Sequence, residues 1–222
     1  MQRAIVCLIL LAFGSVLAQA EQYWIAYEGN DFPENEGWVR YASDPPAERW
    51  LEDGSFFIDS RADVDITDSY AIPFADGNLN PEPGEVFVMS WALLVEESHL
   101  WDPGVSVRSD DQWAVIFLFD EGSLLSVYEP EVYVEFEPAV FHEFELRSTD
   151  MRSYELYIDG EAAIEGAFFE SLFSGAHVGF GDLARGGASL AAWDYFRFGV
   201  IPEPAAWLMG VIALVVFRRR GP

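Results

Sequence analysis

Between Ser153 and Gly166 the chain reads SYELYIDGEAAIEG, two strand-like runs split by Asp159-Gly160. A two-residue hairpin loop needs positive φ at both central residues, and an Asp-Gly pair takes that conformation at low cost. The runs on either side are therefore predicted to pair antiparallel. The same pattern recurs along the chain. EVFVMSWALLVEE (Glu85–Glu97), QWAVIFLFDEG (Gln112–Gly122), SLLSVYEP, VYVEF, FHEFELRST, HVGFGD and LAAWDYFRFG are short, rich in β-branched and aromatic residues, and separated by turn residues. Many short strands with no helical repeat between them predict an all-β, antiparallel sandwich. A hydrophobic fraction of 51%, with 16% aromatics, supplies the core that such a sandwich needs.

Two departures from this pattern are expected. The segment from Tyr23 to Asn80 is less periodic and rich in Pro, Gly, Asn and Asp, which predicts strands joined by long loops. One or two helical turns are predicted in AFFESLFSG (Ala167–Gly175).

The ends have a different character. MQRAIVCLILLAFGSVLAQA has a cation at Arg3, an apolar stretch from Ala4 to Leu17, and a small-x-small ending at Ala18-Gln19-Ala20. That is the layout of a secretory signal helix over residues 1–20, cut before Glu21. The single cysteine, Cys7, lies inside it, so the domain predicted over residues 21–200 has no disulfide to rely on. At the other end, Pro202-Glu203-Pro204 is followed by an apolar run, Ala205–Phe217, and by Arg218-Arg219-Arg220. That run would form a helix of roughly 20 Å, short of the ~30 Å hydrocarbon core. Residues 201–222 therefore read as a short transmembrane segment held transiently, with the arginines on the cytoplasmic side.

Charge excludes several chemistries. All 12 basic residues are arginine, and the formal net charge is −26. Lysine-dependent phosphate loops and Schiff-base enzymes are out. Nucleic acid is not expected as a partner, because a phosphate backbone demands clustered cations. Residues 21–200 hold 37 carboxylates against 8 arginines, a net −29, so the acidity resides in the central domain.

The tripartite tail, paired with an N-terminal signal, resembles the PEP-CTERM sorting signal of Gram-negative bacteria. The resemblance implies recognition by an exosortase, a transpeptidase-like membrane enzyme, and removal of the tail. It implies an inner-membrane intermediate, then the cell surface or extracellular matrix of a bacterium that makes extracellular polysaccharide. Proline at positions 202 and 204 is expected to keep that boundary extended and unpaired.

A second resemblance covers the central domain. FHEFELRSTDMRSYELYIDGE, the closing VGFGD and WDYFRFG, and the opening GWVRYASDPPAERWLEDGSFFIDS resemble concanavalin A-like lectin and laminin-G-like jelly rolls. That superfamily contains glycosidases as well as binding modules. Its glucanases carry a Glu-x-Asp-x-x-Glu strand, which this chain lacks; Glu143 and Glu145 alternate suitably, but no third carboxylate follows. These two read as the outward polar face of an edge strand.

Other motifs fail on their chemistry. Asp63–Thr67 (DVDIT) has the Asp-x-Asp-x-Thr spacing of haloacid-dehalogenase-type phosphatases but no apolar strand before it and no lysine to serve it. DGNLNPEPGE (Asp76–Glu85) opens like a calcium loop, yet its sixth position is Pro81 and its twelfth Phe87. His99, His142 and His177 show no zinc spacing. No catalytic residue is assigned. A looser calcium site in the acidic loops is the one cofactor left open. The candidate ligand loop is SHLWDPG (Ser98–Gly104), where Trp101 would stack on a sugar ring while His99 and Asp102 bond its hydroxyls; the alternative has Trp101 tucked over the sandwich edge. The expected protein is a non-catalytic, carbohydrate-binding component of a surface or matrix. A glycan-active hydrolase and a ligand-free structural component are the rivals.

Overall fold

Asp159 and Gly160 take φ of 52° and 80°, and Asp53 and Gly54 take 52° and 86°. Both pairs turn tight hairpins, as the positive-φ requirement predicts. The computed structural model describes residues 25–74, 79–99, 102–118, 123–126, 129–137, 139–171 and 175–202. Their strands, numbered in chain order, form two antiparallel sheets that face each other.

The first sheet runs β13 (Glu161–Ala167), β12 (Ser153–Ile158), β11 (His142–Ser148), β6 (Glu85–His99), β16 (Ala188–Pro202), β4 (Ser55–Asp59), β3 (Glu48–Glu52). The short β1 (Ile25–Tyr27) pairs with the second half of β16. The second sheet runs β10 (Glu129–Glu135), β9 (Ser123–Ser126), β8 (Gln112–Leu118), β7 (Gly104–Ser109), β15 (Ala176–Asp182), β5 (Asp68–Phe74), β2 (Val39–Ala42). The two-residue β14 (Phe169–Glu170) joins it on β8. This is the all-β jelly-roll sandwich that the sequence predicts.

Alternation builds the core. In β15, Val178 and Phe180 point inward; in β16, Trp193, Phe196 and Phe198 do so from the opposite sheet. Phe180 lies at the centre, with ring centroids of Trp193, Phe196, Trp38, Tyr27 and Tyr70 at 4.8 to 5.6 Å. Each buried aromatic removes a large apolar area from water, about 25 cal/mol per Å². With no disulfide among these residues, that layer is what holds the sheets together.

The signal helix expected over 1–20 and nearly all of the tail lie outside the described residues. Elsewhere the structure departs from expectation in several places. Among the described residues no helix is long and apolar enough to cross a membrane. Within Ala167–Gly175, where helical turns are expected, Phe169 and Glu170 form strand instead and pair with Trp113 and Gln112; residues 172–174 lie outside the described residues. Cross-strand pairing overrides local preference there. β11, expected at an edge, is flanked by β12 and β6, so Glu143 and Glu145 project from the middle of a sheet. The sandwich also runs past residue 200. Val200, Ile201 and Pro202 face Phe87, Val86 and Glu85, so Pro202 closes β16 in place of starting an unpaired segment. Proline is tolerated at that terminal rung because the lost N–H costs nothing beyond the end of the ladder.

Candidate functional site

The pairing register lays out the outer face of the second sheet as a grid. One row runs Pro73, His177, Arg108, Trp113, Phe169 across β5, β15, β7, β8 and β14. Two residues along, the row is Ala71, Gly179, Ser106, Val115. The third is Tyr41, Ser69, Gly181, Gly104, Phe117, beginning on β2. The central strands thus present Ala, Gly and Ser, while aromatic and branched side chains stand on either side. Small residues between large ones cut a trench of about 600 Å³ into a face that would otherwise be flat.

The trench arises from alternation in three short segments. DSYAIPF, GVSVRS and AHVGFGD each send bulky residues inward and small or polar ones outward. Gly179 is needed for more than space, since a Cβ there would lie 2.7 Å from the Tyr70 carbonyl oxygen.

Three polar side chains occupy the floor and one end. Ser106 Oγ lies 3.3 Å from His177 Nε2. Burial pushes the His177 imidazole down to about 4, helped by the Arg108 charge, so the ring is neutral at pH 7. Arg108 donates from Nε to the Gly175 carbonyl at 2.6 Å, which orients its guanidinium. Burial also lowers its pKa from the ordinary arginine range. No Asp or Glu is among the described residues that line this trench.

The loop expected to bind ligand lies elsewhere. His99 ends β6 opposite Ala188, and Trp101 is outside the described residues. Asp102 is fully buried. Its Oδ1 accepts the backbone N–H groups of Leu183 and Ala184 at 2.7 and 3.2 Å, so in this structure no sugar hydroxyl reaches it. Its contribution to the trench is indirect: Leu183, whose N–H it holds, lines one end. Asp182 is buried nearby and accepts the Ser189 hydroxyl at 2.6 Å, a bond from one sheet to the other. Each carboxylate keeps one oxygen, Oδ2, buried without a hydrogen bond. Burial raises both pKa values far above the carboxylate range, and for Asp102 the charge of Asp182 adds to it. Among the described residues no group of three or more His, Cys, Asp or Glu could hold a metal ion. Of the sorting residues, Pro202 ends β16; Glu203, Pro204 and Arg218–Arg220 lie outside the described residues.

No protein-family model matches this sequence, and no curated protein matches it. Solved structures do share its fold. A carbohydrate esterase from the Shiga toxin-encoding bacteriophage phi24B aligns over 80% of this chain and 97% of its own, with a TM-score of 0.55 and 11% identity. A sialidase aligns over 82% of this chain, with a TM-score of 0.53 and 12% identity; this chain spans only 19% of the sialidase. A protein of galectin-like fold from Bacillus subtilis aligns over 81% of this chain and 96% of its own, at a TM-score of 0.48 and 10% identity. At such identities the likeness is one of fold, and one fold hosts many chemistries.

Proposed function

We propose that the sandwich is a carbohydrate-binding module and that the trench of the second sheet is its binding site. The observation that carries this is the trench itself: an open furrow with aromatic walls at Tyr41, Trp113 and Phe117 and hydroxyl and imidazole groups on its floor. Aromatic faces take the apolar faces of sugar rings, and a few fixed polar groups select hydroxyls. Two structures of like fold, the esterase and the sialidase, act on carbohydrates by name. Most glycoside hydrolases use two carboxylates flanking the bond, and the described lining offers none. Glycan-array binding of the intact chain tests the proposal. Binding that disappears in Trp113→Ala and persists in Trp50→Ala, on the other sheet, is the expected result; a chain that binds no glycan would end this reading.

The approach of Ser106 to His177 favours a second reading, ester hydrolysis on a saccharide. The neutral imidazole would take the Ser106 proton as Oγ attacks an ester carbonyl. No described carboxylate of the trench is available to orient the imidazole, so binding comes first. Release of acetate from an acetylated polysaccharide that stops in Ser106→Ala would promote the second reading.

We also propose export and sorting. The charged, apolar and small-residue zones of residues 1–20 support export. The Pro-Glu-Pro, apolar and arginine order of residues 202–220 supports retention in the inner membrane, recognition by an exosortase and removal of the tail. Surface-exposed protein should begin at Glu21 and lack Arg218–Arg220 by mass spectrometry. Surface material that keeps its arginines would show a plain anchor.

A further inference from the structure

We propose that the two described Asp-Gly hairpins have opposite chemical fates: Asp53-Gly54 is a site of spontaneous isoaspartate formation, and His142 protects Asp159-Gly160 from the same reaction. Neither fate depends on what the trench binds. In an Asp-Gly pair the glycine backbone nitrogen can attack the aspartate Cγ. A new C–N bond closes a five-membered succinimide, and the nitrogen's proton leaves with a carboxyl hydroxyl as water. Water then reopens the ring. Attack at Cγ restores aspartate; attack at the backbone carbonyl leaves isoaspartate, whose main chain runs through the side-chain methylene. Glycine favours the reaction because no side chain of its own blocks the nitrogen. The chain has three such pairs, at 53–54, 76–77 and 159–160. The middle one lies outside the described residues.

The other two are closely matched. Each is the loop of a two-residue hairpin, with Glu52 facing Ser55 across the first and Ile158 facing Glu161 across the second. The φ angles are 52° and 86° at Asp53 and Gly54, and 52° and 80° at Asp159 and Gly160. All four residues are exposed, and a Cβ on either glycine would meet no atom within 4 Å. Each loop joins an outermost strand of the first sheet, β3 or β13, to its inner neighbour. Turn geometry, exposure and access of water therefore do not separate the two.

The aspartate side chain does. Asp159 is held at both oxygens. Its Oδ2 accepts from His142 Nδ1 at 2.7 Å, and its Oδ1 accepts the Glu143 backbone N–H at 2.9 Å. Bringing Cγ onto the Gly160 nitrogen must break both bonds. Burial pushes the Asp159 carboxyl up, but the bonds from His142 and Glu143 outweigh it and hold it below the ordinary carboxylate range. The ionised form so favoured is a poor electrophile, because it has no hydroxyl to lose as water. His142 is fixed in its turn. Its Nε2 lies 2.7 Å from the Glu137 carbonyl oxygen, and the Phe136 ring packs against it with centroids 5.2 Å apart. Among the described residues no hydrogen bond holds the Asp53 carboxyl. Isomerisation there adds one atom to the main chain of a loop whose length sets the register of β3 on β4. The Trp50–Phe57 pair of the outermost strand depends on that register.

The test follows both sites in one sample. The intact chain is incubated in heavy-oxygen water near neutral pH, digested, and read by electron-transfer mass spectrometry. The isotope marks each reopened ring, and the fragments distinguish isoaspartate from aspartate. Isoaspartate should accumulate at Asp53 about ten-fold faster than at Asp159 or more, a barrier difference of about 1.4 kcal/mol. His142→Ala should raise the rate at Asp159 to that at Asp53. An unchanged rate at Asp53 in the same sample shows that the variant is folded. His142→Asn, whose amide keeps a donor close to the place of Nδ1, should fall between. Equal rates at the two sites in the unaltered chain, or no isoaspartate at Asp53, overturn the proposal. A rate at Asp159 that stays low in His142→Ala overturns the protective role of His142.

Discussion

The outer faces of the two sheets follow the same alternation and reach opposite results. On the first sheet long outward residues pack on one another. Arg147 lies over the Tyr157 ring at 4.8 Å, Arg197 lies over Tyr195 at 4.2 Å and pairs with Glu28, and Trp50 stacks on Phe57 at 5.0 Å. These side chains lie along one another and fill the surface. On the second sheet the middle row of the central strands is Ala71, Gly179 and Ser106, and the surface opens. Alternation decides which side of a strand is buried. The size of the side chains on the free side decides whether that side is a cover or a site. Exposed ion pairs contribute about 0–1 kcal/mol each, so substitutions on that face are expected to cost little.

The largest perturbation removes what both faces share. Phe180→Ala opens a cavity in the central aromatic layer and should cost about 3–5 kcal/mol in denaturant unfolding. A cost below about 1 kcal/mol would mean that the two sheets do not depend on one core.

A matched pair of substitutions sharpens the comparison. Gly179→Val fills the trench and crowds the Tyr70 carbonyl, so saccharide binding should be lost, with about 1–3 kcal/mol of stability. Ser90→Val places the same side chain on the outer face of the first sheet, opposite Glu145 and Arg197. It should change stability by no more than about 0.5 kcal/mol and leave binding intact. Equal effects from the two would erase the distinction between cover and site.

The smallest effect concerns the support behind the trench. Because burial raises the carboxyls of Asp102 and Asp182, the folded chain keeps protons there that the unfolded chain has released. That contribution is complete below the ordinary carboxylate range and is lost progressively as pH rises from there through the raised values, of which that of Asp102 is the higher. His177 is silent in this window, being neutral in both folded and unfolded chains. Melting temperature should therefore fall from pH 7 to pH 9, and Asp102→Asn, which removes one titrating carboxyl, should flatten the fall. An identical slope in both proteins would show that burial does not perturb the Asp102 carboxyl.

The misreadings share a cause. SHLWDPG looks like a ligand loop because its neighbours in sequence are an aromatic ring and polar groups. Asp102 is buried instead because β15 pairs with β7 and brings the Leu183 and Ala184 N–H groups to it from 81 and 82 residues away. AFFESLFSG carries a local helical preference, and Phe169 is a strand residue because Trp113 on β8 offers it a partner. Glu143 and Glu145 look like edge residues because nothing in their own segment shows that β6 covers one flank and β12 the other.

What the sequence determined by itself is local: the alternation of β12, β15 and β16, the Asp-Gly hairpins at 53–54 and 159–160, and thus an all-β antiparallel class. These follow from backbone sterics and a two-residue period, and both act within a few residues. The trench was decided by tertiary structure. Ala71, Ser106 and Gly179 are unremarkable where they stand in the chain, and each becomes part of a floor only when β5, β15 and β7 align in one register. That register is set by burying Tyr70, Val105, Val107, Val178 and Phe180 on the opposite side, because a slip of one residue would expose the whole inward set.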